Sequence, residues 1–165
     1  ANTGLVDCFL LAGRFTLLDQ RSLDELLPAC EKNNVSLIIG GVFNSGILID
    51  PSPSSFFDYV ELNDSWLENA KQLGVRMPES YENNEYWLNK AKEISDVCKK
   101  HNINLKSAAL KFPYLNKNTA TVLTGVSSKK HVLENLNSYL SEISNDLWKE
   151  LEEKNLIQKG SINKL

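Results

Sequence analysis

The sequence predicts a parallel α/β fold, on three observations. Three short apolar segments read as strands: "VDCFLLAG" (Val6–Gly13), "VSLIIGG" (Val35–Gly41) and "TATVLTG", which ends on Thr121–Gly125. Their polarity does not alternate, which is the pattern of strands covered on both faces. Helical stretches separate them, so the strands should lie side by side and run parallel through right-handed crossovers. The loops "GGVFNSG" and "TGVSSKK" would then emerge at the same end of the sheet.

The elements follow in order. Ser22, with Glu25 three residues on, forms a capping box before a helix whose apolar face is Leu23, Leu26, Leu27 and Cys30. Asn33-Asn34 ends it. Residues 49–83 read as an irregular, insertion-like loop region, with a short helix in "NDSWLENAKQLG" capped by Asp64 or Ser65. "NNEYWLNKAKEISDVCKKHN" is a long amphipathic helix that turns Trp87, Leu88, Ala91, Ile94 and Cys98 inward and extends that face to Tyr86. "LKSAALKFPYL" is a shorter helix ended near Phe112 by Pro113. "SKKHVLENLNSYL" follows the third strand, and "SNDLWKELEEKNLI" is a last helix capped by Ser144 or Asn145. Three parallel strands leave two bare edges and cannot close a barrel, which needs about eight.

Composition narrows the function classes. The chain has 165 residues, 42% of them apolar and 24% charged, and is expected to form a single unit with a real core. A net charge of −3 gives no electrostatic basis for binding nucleic acid or an acidic membrane surface. No apolar run approaches the roughly 18 residues of a membrane span, and no signal-peptide pattern opens the chain. Cys8, Cys30 and Cys98 are odd in number and widely spaced. They predict buried free thiols in a reducing cytoplasm, with no disulfide and no metal site. The chain opens at Ala1 without Met and runs almost at once into a strand, as expected of a segment of something longer.

In parallel α/β folds ligands bind where the loops after the strands cluster. Those loops are "AGRFTLLDQ", "GGVFNSG" and "TGVSSKKH". The last two are rich in glycine, hydroxyls and amides, and hold no acid–base pair. Glycine lets a ligand touch the backbone, and an N–H-rich turn or helix N-terminus suits a phosphate. The alternative is that Gly40, Gly41 and Gly46 serve tight turns alone. His131 likewise reads as a ligand contact or as a surface residue of its helix, and His101 as surface.

Taken together, "AGRFTLLDQRSLDELLPACEKNNVSLIIGGVFNSGIL" and, some 75 residues on, "ATVLTGVSSKKHVLENLN" resemble the aldo/keto reductases. The nearest branch is the bacterial dehydrogenases of fucose, arabinose, galactose and related aldoses. The resemblance implies a (β/α)8 TIM barrel, an NADP or NAD cofactor, and an aldose or simple carbonyl substrate. The whole chain, 1–165, would be its C-terminal part, strands six to eight with their helices. By the same resemblance Gly41, Phe43, Asn44, Ser45 and Gly46 grip the cofactor pyrophosphate. Ser127 and Ser128 lie near the ribose 2′ position with His131 beside them, and Glu134 and Asn135 contact adenine.

Two departures and one gap accompany the resemblance. Many members place Gln at the position of Ala12 and an aromatic residue at that of Gly40, to hold the nicotinamide. The basic residue that often marks NADP preference has no counterpart at Gly125, leaving His131 with Lys129 and Lys130. The family's catalytic Asp, Tyr, Lys and His all belong to the first half of the barrel. No residue of this chain is therefore assigned a catalytic role; Tyr59 and Lys106 have no spacing that would support one. Bare edges and an unclosed barrel imply association with the missing N-terminal half or with a second copy. The alternatives are a truncated, non-catalytic relative that binds a nucleotide or a partner, or an unrelated parallel α/β module.

Overall fold

The structure, a computed structural model, describes residues 1–55, 72 and 84–162. The short helix expected in "NDSWLENAKQLG" lies outside them but for Gln72. Strands β1 (Cys8–Ala12), β2 (Ser36–Gly40) and β3 (Thr119–Val122) form one parallel sheet in the order β1-β2-β3. Among the described residues they are accompanied by helices α1 (Leu26–Asn33), α2 (Asn84–Lys100), α3 (Leu105–Lys111), α4 (Lys129–Leu140) and α5 (Asn145–Glu153). β3 begins at Thr119, where "TATVLTG" begins, and ends at Val122, short of Gly125; the Leu123 amide prolongs the pairing by donating to the Ile39 carbonyl at 2.8 Å.

One face of the sheet builds the core. Leu37 and Ile39 are fully buried, with Phe9, Leu11 and Val122 packed beside them. Phe112 lies among the aromatics, 5.1 Å from Phe15 and 6.2 Å from Trp148 between ring centroids. Trp87, Leu88, Ala91, Ile94 and Cys98 face this core from α2, as their spacing predicts, whereas Tyr86 is 47% exposed. The helical face of α2 stops one residue short because Tyr86 stacks edge-on against Trp87 at the rim.

The other face is open. Cys8, Leu10, Ala12, Ser36 and Thr121 are exposed on it, so the expected two-sided burial of the strands does not hold within this chain. Cys8 is accordingly exposed, against the expectation of three buried thiols, while Cys30 and Cys98 are buried. Burial pushes the Cys98 thiol up to about 12, which leaves it a packing residue. α4 is open as well. Val132, Leu133, Leu136, Tyr139 and Leu140 are each 45–65% exposed and recur at helical spacing along one face.

The expected capping box at Ser22 does not form. Arg21–Leu23 is a 3₁₀ turn, and α1 begins at Leu26 with no side-chain cap. The Ser22 hydroxyl instead donates to the Arg14 carbonyl at 2.7 Å. The nearby Asp19 carboxylate takes the Arg21 backbone amide and Nε, which winds the chain too tightly for the box. Elsewhere the caps follow the sequence. Ser144 caps α5, and Pro113 sits in the first turn of a 3₁₀ segment, Phe112–Leu115, that ends α3. Three helices end alike, with Asn34, Asn102 and Asn155 left-handed at φ 55° to 56°. Each is followed by an apolar residue whose amide reaches back: Val35 to Cys30, Ile103 to Cys98 and Leu156 to Leu151. This is the Schellman closure, with asparagine where glycine is commoner.

His101 is more than surface. Its Nε2 lies 2.8 Å from Glu150 Oε2, and Lys100 Nζ donates to both oxygens of the same carboxylate. These contacts, Lys100 first, hold Glu150 down at about 2. A depressed carboxyl stabilises the fold above its unfolded value of 4.5, and that contribution fades as pH falls towards 2. Glu150→Gln should therefore flatten the acid limb of thermal stability between those two values, read by circular dichroism melts. For the core, Phe112→Ala should destabilise by about 3–5 kcal/mol through an aromatic-sized cavity. Urea unfolding measures it.

Candidate functional site

Parallel pairing gathers the strand ends. Ala12 pairs with Gly40 in register, and Ile39 with Val122, so the segments after β1, β2 and β3 leave the sheet at one end. They differ in character. The first is core: Phe15, Leu17 and Leu18 are at most 1% exposed, and Asp19 lies buried between Arg14 and Arg21. Lys90 from α2 donates to the Leu18 carbonyl at 2.8 Å, and burial pushes its ammonium down to about 8 against the pull of Asp19. That segment is a packed plug rather than a ligand loop.

The second segment is a tight turn. Gly41 has φ 66°, and a Cβ there would lie 3.1 Å from the Gly13 amide nitrogen. Its missing side chain is thus accounted for by the neighbouring strand end. Asn44, Ser45 and Gly46 follow with φ of 43°, 55° and 96°. The Asn44 and Gly46 amides donate within the turn, to the carbonyls of Gly41 and Phe43, as do those of Ile47 and Leu48 just beyond. The turn is held by its own hydrogen bonds. Asn44 is fully buried, Phe43 half-buried, and Ser45 exposed at the tip.

Gly40 and Gly125 are different. Neither has positive φ; a Cβ at Gly40 would make one ordinary contact, with Leu10 at 3.8 Å, and at Gly125 none within 4 Å. Internal packing requires glycine at neither. Ala12 and Gly125 are exposed, whereas Gly40 is buried.

The third segment leads into the N-terminus of α4. Ser128 caps it, its hydroxyl accepting from the His131 amide at 3.2 Å, and Ser127 Oγ sits 3.2 Å from His131 Nδ1. Ser127, Ser128 and His131 are exposed. One turn on, Asn135 donates to Thr124 Oγ1 at 3.1 Å, tying the helix to the segment that precedes it. Glu134 pairs with Lys106 at 3.2 Å and Lys130 at 3.7 Å, and the Lys106 hydrogen bond chiefly draws its carboxyl below the ordinary value.

The residues expected at the pyrophosphate therefore sit on one segment, and those expected at the ribose and adenine on another, at the same sheet end. Sequence reading missed Lys106, whose Nζ lies 5.9 Å from the Phe43 ring centroid as well as against Glu134. Its place in the first turn of the helix in "LKSAALKF" was the available signal. A cavity of about 450 Å³ opens beside it, lined among others by Ser107, Glu134, Asn137, Ser138 and Ser141. Among the described residues no group of three or more His, Cys, Asp or Glu could hold a metal. Nor is any helix there long and apolar enough to cross a membrane.

Comparison with known proteins bears on the whole chain. The aldo/keto reductase family pattern matches residues 1–156. A pyridoxal 4-dehydrogenase from Microbacterium luteolum is 31% identical over 92% of the chain, and a D-threo-aldose 1-dehydrogenase from a Pseudomonas species 30% identical over 92%. The chain spans only 39% and 40% of those two relatives. Among solved structures, a glycerol dehydrogenase from Gluconobacter oxydans aligns over 88% of the chain and 41% of its own length. Its TM-score is 0.59 at 15% identity, a likeness of fold. The chain belongs to the aldo/keto reductase family.

Proposed function

We propose that this chain is the C-terminal part of a (β/α)8 barrel and carries the cofactor grip of an NAD(P)-dependent oxidoreductase. The observation that carries this reading is the meeting of the 41–46 turn and the N-terminus of α4 at one sheet end. Ser45, with Gly41, Phe43, Asn44 and Gly46, holds the pyrophosphate; Ser127, Ser128 and His131 meet the ribose 2′ region; Glu134 and Asn135 meet adenine. The exposed hydroxyls and the helix N-terminus suit anionic groups. The small, exposed residues Ala12 and Gly125 suit close approach of the cofactor. NADP or NAD supplies or accepts the hydride. This chain's residues bind and orient it, and the proton-transferring residues belong to the part of the barrel that this chain does not contain.

The names of the two relatives favour an aldose or simple carbonyl as substrate. The open sheet face around Leu10 and the apolar face of α4 support one partner, the polypeptide carrying the remaining strands. Contiguous exposed apolar surface of this kind marks an interface.

Ser45→Ala is expected to weaken NADP or NAD binding by roughly tenfold to a hundredfold, the worth of one hydrogen bond to a charged group. Calorimetry on the folded variant reads this, and unchanged affinity for both dinucleotides would refute the grip. Gly41→Val is the poorer probe, because φ 66° and the Gly13 contact make it a folding variant. Alone, the chain should show no aldose dehydrogenase turnover. Mixed with a polypeptide spanning the other five strands, it should form a stable complex that does turn over. Turnover by the chain alone, or no complex in sedimentation, would count against the proposal.

A further inference from the structure

The sheet has two outer edges, along β1 and along β3, and a side chain already stands on the second. The Leu123 amide donates inward, to the Ile39 carbonyl of β2 at 2.8 Å. Successive amides along a strand point to opposite sides, so the Val122 amide points outward, away from β2. There it meets the Tyr114 hydroxyl, which accepts it at 3.2 Å.

Tyr114 is held in place from two directions. It belongs to the 3₁₀ segment Phe112–Leu115, whose Pro113 carbonyl accepts the Thr119 hydroxyl at 2.7 Å. That bond ties the segment to the first residue of β3. The Tyr114 ring meets Tyr139 of α4 edge-on, 5.6 Å between centroids, and Lys111 Nζ lies 5.3 Å from the Tyr139 ring centroid. Tyr139 is one of the exposed apolar residues along α4. The edge of β3 and the apolar face of α4 thus meet at one pair of rings.

An outward amide on an edge strand is a template for another strand, which would bring it a carbonyl. A phenol oxygen satisfies the same amide but extends no ladder. Exchanging one acceptor for the other is close to balanced, because the amide keeps a partner and the phenol regains water on leaving. A bare strand therefore gains little by docking here. A partner that also covers Tyr139 and its neighbours on α4 adds apolar burial, which favours the exchange.

We propose that Tyr114 is a removable guard on the outer edge of β3, its hydroxyl holding the Val122 amide until a parallel strand from the polypeptide carrying the rest of the barrel takes that amide. This rests on the reading above of the chain as part of a barrel. The Tyr114 side chain is thereby a contact of the separate chain that the closed barrel replaces.

The test is Tyr114→Phe, which keeps the ring against Tyr139 and removes the hydroxyl alone. In the separate chain the Val122 amide should exchange with solvent about two- to tenfold faster, the worth of one net hydrogen bond, while the Leu123 amide is unchanged. By sedimentation, the variant should bind the polypeptide spanning the other five strands about two- to tenfold more tightly. Within that complex Val122 should be equally protected in both chains, its acceptor now being the incoming strand. If the two amides speed up together, or Val122 does not change, Tyr114 is a packing residue and the inference is overturned. A complex of equal or lower affinity in the variant also overturns it, and leaves the barrel reading standing. No complex with either chain overturns both.

Discussion

Parallel pairing on both sides of β2 sets the geometry of the whole chain. β2 bonds to β1 through five registered pairs and to β3 across an irregularity between Leu37 and Ile38. Because both neighbours run in its direction, every loop after a strand leaves at one end, however far apart these loops lie in sequence. Leu37 and Ile39 then pin the sheet to the aromatic core on one face. The candidate site inherits its position from these two facts.

The three strand-end segments divide the work in a way their sequences only partly disclose. The first is spent on packing, with Phe15, Leu17 and Leu18 buried over the strand end and Asp19 bound by its arginines. Its glycine, Gly13, receives Gly41 from the second segment, and the two left-handed residues lie against one another. This contact fixes the start of the 41–46 turn before any ligand is considered. Ser45 stays exposed at the tip of its turn, and Ser127, Ser128 and His131 on the third segment.

The strands were legible as short apolar runs between helical stretches, and the long helices because burial repeats locally at 3.6, as α2 does up to Trp87. The open face of β1 was not. An apolar run records that Leu10 is to be covered, without recording whether the covering residues lie in the same chain. Ser22 and Glu25 looked like a cap because the pattern is local, but Arg14 and Asp19 offered stronger partners from the preceding turn. The strand-end segments were found by order and composition. The contacts that join them were not, since Lys106 with Glu134 and His101 with Glu150 link residues 28 and 49 positions apart. Glycines divide along the same line: Gly41 has a reason inside the fold, and Gly40 does not.

The three asparagine helix ends carry a chemical consequence. Asparagine ages by attack of the following amide nitrogen on its own side chain, a ring closure that proceeds fastest before glycine. Here the following residues are Val35, Ile103 and Leu156, all bulky, and each has already committed its amide to a carbonyl five residues back. Attack needs that nitrogen free and its surroundings uncrowded. The hydrogen bond that closes each helix thus also shields the residue that turns it, and these ends resist the slow loss of ammonia that turns a neutral side chain acidic.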